Sequence, residues 1–458
     1  MSGILDGRSA GLVGISSVLV GTVLALTEIP EDPMAKGALV TSASALAAGL
    51  MIVPAGRLMA RSKAMLNAEN FIALGLVYWI LLDEIQGAYI LQGTTAEAVH
   101  DAFIAVGVFG AAMWAGTLTR PWKIPSIVLF AARMPLPEKL LERLILVCFV
   151  IGMSNFALSV DFDLVKMFSY LGSPRWAAPW GRGRLGDWTA FMDQAQYFGY
   201  IVPSLAALHL VRRGWLNVHS IIAVAWAVLV VLFLAVGGGR RIIGVTVGAA
   251  LLVWLLATPK IKLSTFLGAA VGSFILLVGM QFILEIRSGG YEAFRVEGPQ
   301  FSYLHIDDNF LRLSQLINLI PSKFDFVYFQ QIVFTLIRPI PRVFWEGKPV
   351  DAGFDLATVL GLSDVSLSST ILGEWYLSFG WVGVAVGGWL HGRFASAVNR
   401  VLPARVKNNN PIIYSLLVMV LFAGIRSMQE LVLMSYAVLA WIGATWALRS
   451  RRRQPSAV

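Results

Sequence analysis

Twelve runs of roughly twenty mostly apolar residues recur along this chain, near 10–27, 35–54, 68–90, 99–118, 140–159, 188–210, 216–236, 241–258, 262–283, 371–390, 411–428 and 430–448. A run of about 20 residues is what a helix needs to cross the hydrocarbon core of a bilayer. Lipid offers no partner for a bare peptide group, so such runs fold as helices that satisfy their own backbone. The rest of the composition agrees. Of 458 residues, 57% are hydrophobic and 14% charged, against about 25% charged in an ordinary soluble domain. The expected fold class is therefore an all-α polytopic membrane protein with about twelve transmembrane helices. The third and sixth runs are the least regular, because they carry Asp83 and Glu84, and Asp193, Gln194 and Gln196.

Charge sets the expected orientation. The net charge is +9, and its distribution argues against nucleic acid as the partner. Lys and Arg gather in alternate loops: Arg57, Arg61 and Lys63; Arg120, Lys123, Arg133 and Lys139; Arg212 and Arg213; Lys260 and Lys262; Arg393, Arg400, Arg405 and Lys407; and the tail Arg449, Arg451, Arg452 and Arg453. The intervening short loops are acidic or uncharged, EIPEDP being the first. Basic loops stay cytoplasmic, so both termini are expected there. Trp122, Trp188, Trp215 and Trp381 fall near helix ends, where an amphipathic ring suits the interface. The first run lacks a small-residue cleavage site and reads as a retained helix. The single cysteine, Cys148, and five scattered histidines offer neither a disulfide nor a metal-ligand spacing. No internal repeat of the transporter kind is evident.

The organisation that follows is helices 1–9 over 1–283, a long external loop over 284–370, and helices 10–12 with the basic tail over 371–458. The loop is not simply polar. Within 304–320 apolar residues alternate with Asp307, Asp308, Asn309, Arg312 and Gln315, and 324–337 is rich in aromatics. Both read as amphipathic helices, either lying in the outer interface or folding as a small cap over the bundle.

Several basic residues then sit on the side where anchoring does not explain them: Arg175, Arg182, Arg184, Arg240, Arg241, Arg287, Arg295, Arg338, Arg342, Lys348 and Arg426. Arg240 and Arg241 close a GGGRR turn, and Arg426 lies in the apolar hairpin FAGIRSMQELV. Guanidinium groups stay charged and match phosphate with a planar fork. Gly237, Gly238 and Gly239 would let backbone N–H groups approach the same anion. In RPIPRVFWEGKP (338–349), Pro339, Pro341 and Pro349 forbid a regular helix and hold Arg338 and Arg342 on a rigid scaffold, with Lys348 beyond. Glu374 follows at the outer end of a spanning run, GEWYLSFGWVG, where an ionisable residue points to function; it is a candidate general base or a helix N-terminal acid favoured by the macrodipole. Asp351, Asp355 and Asp364 on the same loop, and His305, are rivals. Asp161 and Asp163 form a D-F-D pair that reads as the start of a loop.

RPIPRVFWEGKP followed by GEWYLSFGWVG, with GGGRR upstream and one long external loop, resembles the Wzy-type bacterial O-antigen and repeat-unit polymerases over roughly 235–430. Members place a glycine directly after the hairpin arginine, where this chain has Ser427. The resemblance implies a GT-C-like glycosyltransferase of the inner membrane, with its active site on the periplasmic face. It implies undecaprenyl-pyrophosphate-linked oligosaccharides as substrates, and a flippase and a chain-length regulator as partners. Arg338, Arg342 and Glu374 would be catalytic. Arg240, Arg241, Lys348, Arg426, His305 and Asp364 would bind pyrophosphate or glycan. Arginines would stabilise the departing pyrophosphate without a metal or other cofactor. The alternatives are an O-antigen ligase, in which His305 gains importance, and a lipid-linked oligosaccharide flippase, whose charges would line a path through most spans.

Overall fold

The computed structural model describes residues 7–60, 63–173, 177–180, 192–236, 240–258, 263–297, 302–338, 340, 344–349, 353–362, 367–402 and 410–452. Every regular element among them is helical. The first part comprises α1 (Arg8–Thr27), α2 (Val40–Met59), α3 (Ala68–Leu76), α4 (Leu82–Ile85), α5 (Ala96–Leu118), α6 (Ser126–Arg133), α7 (Glu138–Leu158), α8 (Leu164–Ser169), α9 (Met192–Gly199) and α10 (Val202–Arg213). The remainder comprises α11 (Val218–Val236), α12 (Arg240–Ala257), α13 (Leu263–Glu297), α14 (Asn309–Leu319), α15 (Gln330–Ile337), α16 (Leu356–Val359), α17 (Thr370–Asn399), α18 (Ile412–Gly424) and α19 (Met428–Arg452).

Eight of the described helices are long and apolar enough to cross a membrane: α1, α2, α5, α7, α11, α12, the Leu267–Ile286 part of α13, and the Met428–Leu448 part of α19. The chain is thus a multi-pass membrane protein. The other four expected runs are present as helix but broken, short or polar. The third divides into α3 and α4 around a π-helical turn at Val77–Leu81, just before Asp83 and Glu84. The sixth divides into α9 and α10. α17 breaks where Phe379 leaves helical geometry and Gly380 takes φ 61°, a left-handed conformation that costs glycine little. α18 is a 13-residue apolar helix.

Close helix approach holds the bundle together. Lipid tails are as apolar as leucine, so helices gain stability by bringing small residues into backbone contact. α5 packs along α17 and α1 along α2. At the first seam a Cβ on Gly388 or Gly392 would overlap the carbonyl oxygens of Phe109 and Met113, and one on Gly116 that of Trp389. At the second, a Cβ on Gly21 would stand 2.9 Å from Gly49 Cα.

Arg57, expected as a basic anchor, is instead 2% exposed. Its guanidinium donates to Glu69 at 2.8 Å and Asn70 at 2.9 Å, and lies 5.7 Å from the ring centroid of Trp114. Glu69 also accepts from Asn399 at 2.6 Å, which ties α2, α3 and α17 at one end of the bundle. In the long loop, α14 resolves the open alternative for its stretch. Phe310, Leu313 and Leu316 are buried, Phe310 meets Phe103 of α5 at 4.7 Å between centroids, and the helix also packs on α17. It is a cap inserted into the bundle. α15 keeps Val333 and Leu336 exposed, as a helix lying along an apolar phase does. Trp122, Trp215 and Trp381 are likewise exposed, while Trp188 lies outside the described residues.

Candidate functional site

The site begins with the backbone of 303–309, which four side chains stitch to the end of α4, to the π-helical turn before it and to the start of α12. Asp83 accepts the N–H groups of Ile306 and Asp307 through its two oxygens, each at 3.1 Å. Gln86 accepts from Leu304 N–H at 2.9 Å and donates to the Leu304 carbonyl at 3.1 Å. Asn309 donates to the Trp79 carbonyl in the π-helical turn at 2.7 Å; such turns free a carbonyl from the regular ladder. Arg240, the first residue of α12, donates to the carbonyls of His305 and Ile306. The loop is thereby held rigid, with Asp307 presented outward.

Asp307 meets the α18–α19 hairpin. Arg426 Nε donates to Asp307 at 2.6 Å, and its Nη1 stands 3.5 Å from Glu430. Glu430 pairs with Arg241 at 2.6 Å. Ser427, the residue that replaces the expected glycine, caps α19: its hydroxyl accepts the Glu430 N–H at 3.1 Å. Ser-x-x-Glu at a helix start is the capping-box spacing; here the glutamate side chain turns to Arg241. Glu374, 4% exposed, lies behind. One oxygen accepts from Gln331 of α15 at 3.0 Å, and the other from Met428 N–H at the start of α19. α17 is fastened to the same hairpin by Ile371 N–H donating to the Ile425 carbonyl at 3.1 Å and by the Ser368 hydroxyl donating to the Arg426 carbonyl at 2.6 Å.

Five of the residues singled out in the sequence therefore converge: Arg240, Arg241, Arg426, His305 and Glu374. They do not form a bare cationic patch. Asp307 and Glu430 pair with Arg426, and Glu430 also with Arg241, because a charge taken out of water is tolerable only beside an opposite one. Arg241 Nε and one oxygen of Glu430 are buried without a hydrogen bond, so the Arg241–Glu430 pair retains bonding capacity. Of the rest, Arg338 is exposed at the end of α15, with its guanidinium 5.8 Å from the Phe334 ring centroid. Lys348 folds back: its ammonium donates to the carbonyls of Arg338 and Ile340, each at 2.9 Å. It joins the two carbonyls at the end of α15. Arg342, Asp364 and Asp351 lie outside the described residues, as do Gly237, Gly238, Gly239, Arg175, Arg182 and Arg184; Arg287 is described in its backbone only. Asp355 caps α16 by accepting from Thr358 N–H at 3.2 Å. Asp163 caps α8 by accepting from Lys166 N–H at 3.0 Å, so the D-F-D pair is a turn and cap. Sequence reasoning noted Asp83, Asp307 and Asp308 without assigning them, and missed Glu430 and Gln331.

His305 titrates outside the spanning helices. Burial, and then the neighbouring Arg240 guanidinium, hold its imidazole below the ordinary value of 6.5; its Nδ1 stands 3.8 Å from Asp83. The folded protein thus favours neutral His305, while the unfolded chain binds a proton at ordinary pH values. This residue's contribution to stability is complete above 6.5 and shrinks as pH falls from there toward the lower folded pKa. Arg240→Gln removes one cause and is expected to raise the imidazole pKa. The pH dependence of diethylpyrocarbonate reactivity at His305 measures it; an unchanged or lowered midpoint contradicts the assignment.

Among family models, curated proteins and solved structures, none matches this chain.

Proposed function

We propose that this chain is a glycosyltransferase of the bacterial inner membrane that polymerises undecaprenyl-pyrophosphate-linked oligosaccharide repeat units, with twelve spans, a GT-C-like arrangement, cytoplasmic termini and a periplasmic active site. The observation that supports the reading is the convergence of Arg240, Arg241, Arg426 and Glu374 at one end of the bundle, with Gln331 of α15 bound to Glu374. These were the residues that anchoring left unexplained, and the resemblance assigns them to pyrophosphate and glycan.

In the reaction an acceptor hydroxyl on the incoming lipid-linked unit loses its proton to a carboxylate. Its oxygen bonds the anomeric carbon of the growing chain, and the bond from that carbon to pyrophosphate oxygen breaks. Undecaprenyl pyrophosphate leaves. Guanidinium groups placed beforehand stabilise the charge that develops on it. Arg338 and Arg342 take this role, with Arg241 and Arg426 holding the pyrophosphate after it exchanges with Glu430 and Asp307. Glu374 is the base or positions the acceptor; its two held oxygens favour positioning. Arg240 acts by fixing the 303–309 loop. A flippase and a chain-length regulator are the partners the resemblance implies.

The second reading, an O-antigen ligase transferring glycan to lipid A core, draws on His305 lying within the cluster, 3.8 Å from Asp83. One experiment separates the two. The chain is deleted in its source bacterium, surface glycan is resolved by gel, and the intact protein or Arg342→Ala is returned. Polymerisation predicts a single repeat unit on the lipid acceptor after deletion, and no ladder from Arg342→Ala at normal membrane level. A bare acceptor with long lipid-linked glycan accumulating establishes the ligase instead.

A further inference from the structure

Toward the Val218 end of α11, away from Arg240, a cavity of about 590 Å³ opens between α7, α10 and α11. The lining reaches Trp226, ten residues before the end of α11 at Val236, so the cavity stops about 15 Å short of that end along the helix axis. The volume falls within the roughly 300–1,000 Å³ of small-molecule sites. The wall is apolar, formed by Leu146, Ile222 and Trp226 among others, with Trp226 stacked on Phe149 at 5.0 Å. Leu146 and Ile222 are exposed, as are Val147, Val150 and Ile221 beside them, so the wall runs on into the apolar outer surface of α7 and α11. Trp215 and Leu216 stand exposed in the turn at the same end, where interfacial residues belong.

The rim carries two cations beside one carboxylate, Glu142, whose contact is the His209 ring. Lys139 and Arg143, four residues apart on α7, line the cavity with His219. Glu138 of the same turn pairs with Arg213, and Glu142 stands 3.4 Å from His209 Nε2. His209 forms the floor, with its Nδ1 3.0 Å from the Ser220 hydroxyl. Among the described residues no carboxylate lies within ion-pair distance of Lys139 or Arg143. Lys139 also sits in the first turn of α7, the end of a helix that disfavours positive charge. An anion at the rim with hydrocarbon along the wall satisfies all of these features together.

We propose that this cavity binds an anionic phospholipid, its phosphate against Lys139, Arg143 and His219 and its acyl chains along Leu146, Ile222 and Trp226. The apolar wall is what selects a lipid over a soluble phosphate. The site is separate from the proposed catalytic cluster and does not depend on what that cluster does.

The test uses the purified full chain in detergent, titrated with fluorescent acyl-labelled phosphatidylglycerol. Binding is expected to exceed that of the equally labelled phosphatidylcholine. Each basic residue near a membrane surface contributes about fivefold in affinity, so Lys139→Ala/Arg143→Ala should weaken binding by about thirtyfold. Arg120→Ala/Lys123→Ala, basic residues of another loop, should leave it unchanged. Lys139→Gln/Arg143→Gln replaces the alanine pair if that variant does not purify folded. Equal binding of both lipids, or full binding by the double variant, overturns the proposal. Displacement of the labelled lipid by glycerol 1-phosphate alone at equal concentration overturns the lipid assignment in favour of a soluble phosphate.

Discussion

Replacing Arg426 by alanine is expected to abolish the glycan ladder in a complemented deletion strain and to lower the stability of the purified protein by about 2–4 kcal/mol. Arg426 touches both Asp307, at 2.6 Å, and Glu430, at 3.5 Å. Breaking a fully buried ion pair costs about 3–5 kcal/mol, because the surviving charge is left without a partner. Glu430 is 3% exposed in its side chain and fits that case, although Arg241 still faces it. Asp307 is 25% exposed and keeps some water, which places the expectation lower in the range. Asp307→Asn on top of Arg426→Ala removes one stranded charge, so the double variant should be more stable than the sum of the two single effects. Arg426→Lys keeps the charge but not the fork that reaches both acids, and should restore stability more than activity. The thermal midpoint in detergent, taken with the ladder, reads the two effects separately. A midpoint like that of the unaltered protein would mean that the pairs contribute nothing to the fold. An intact ladder at normal membrane level would remove Arg426 from the proposed chemistry.

The second large effect lies far from any chemistry. Gly392→Leu is expected to prevent the bundle from assembling, with a cost of about 4 kcal/mol or more. Any Cβ at Gly392 would overlap the Met113 carbonyl, and backbone cannot yield as a flexible side chain can. α5 and α17 would have to separate, and α17 carries Glu374 at its start and Asn399 at its end. Separation therefore disturbs both polar clusters, the one around Arg426 and the one joining Arg57, Glu69 and Asn399. Gly443 gives the control: a Cβ there meets nothing within 4 Å, so Gly443→Ala should be near neutral. The yield of monodisperse protein after extraction measures both. Normal yield from Gly392→Leu would show that the seam is looser than its geometry requires.

Arg57 shows how the two levels of description divide. Its place after a long apolar run made it one of several equivalent anchors in the sequence, and nothing local distinguished it from Arg120 or Arg133. The fold buries it beneath Trp114 and gives it Glu69, twelve residues on, and Asn70. The arginines beyond the basic loops behaved differently. Their place in the sequence, between the clusters of basic residues, alone marked Arg240, Arg241 and Arg426, and they converge: Arg241 and Arg426 share Glu430, and Arg240 holds the backbone next to Asp307. The carboxylates they meet were not marked. Glu430 is a single acid at the start of an apolar helix, and Asp307 one of several polar residues in an amphipathic stretch. Only the Ser427–Glu430 spacing carried a local hint, and it pointed to a helix cap.

By itself the sequence determined the medium, the helical class and most helix positions, because apolar length is a local property that a bilayer reads segment by segment. It also determined that the arginines beyond the basic loops needed another explanation. The tertiary structure decided which charges neutralise which, that α14 enters the bundle, and that the third and sixth runs divide. Those outcomes depend on contacts such as Asp83 with the Asp307 N–H and Glu374 with the Met428 N–H, 224 and 54 residues apart. Desolvation makes such partners obligatory once both groups are buried, but which groups are buried together is settled only when the helices pack.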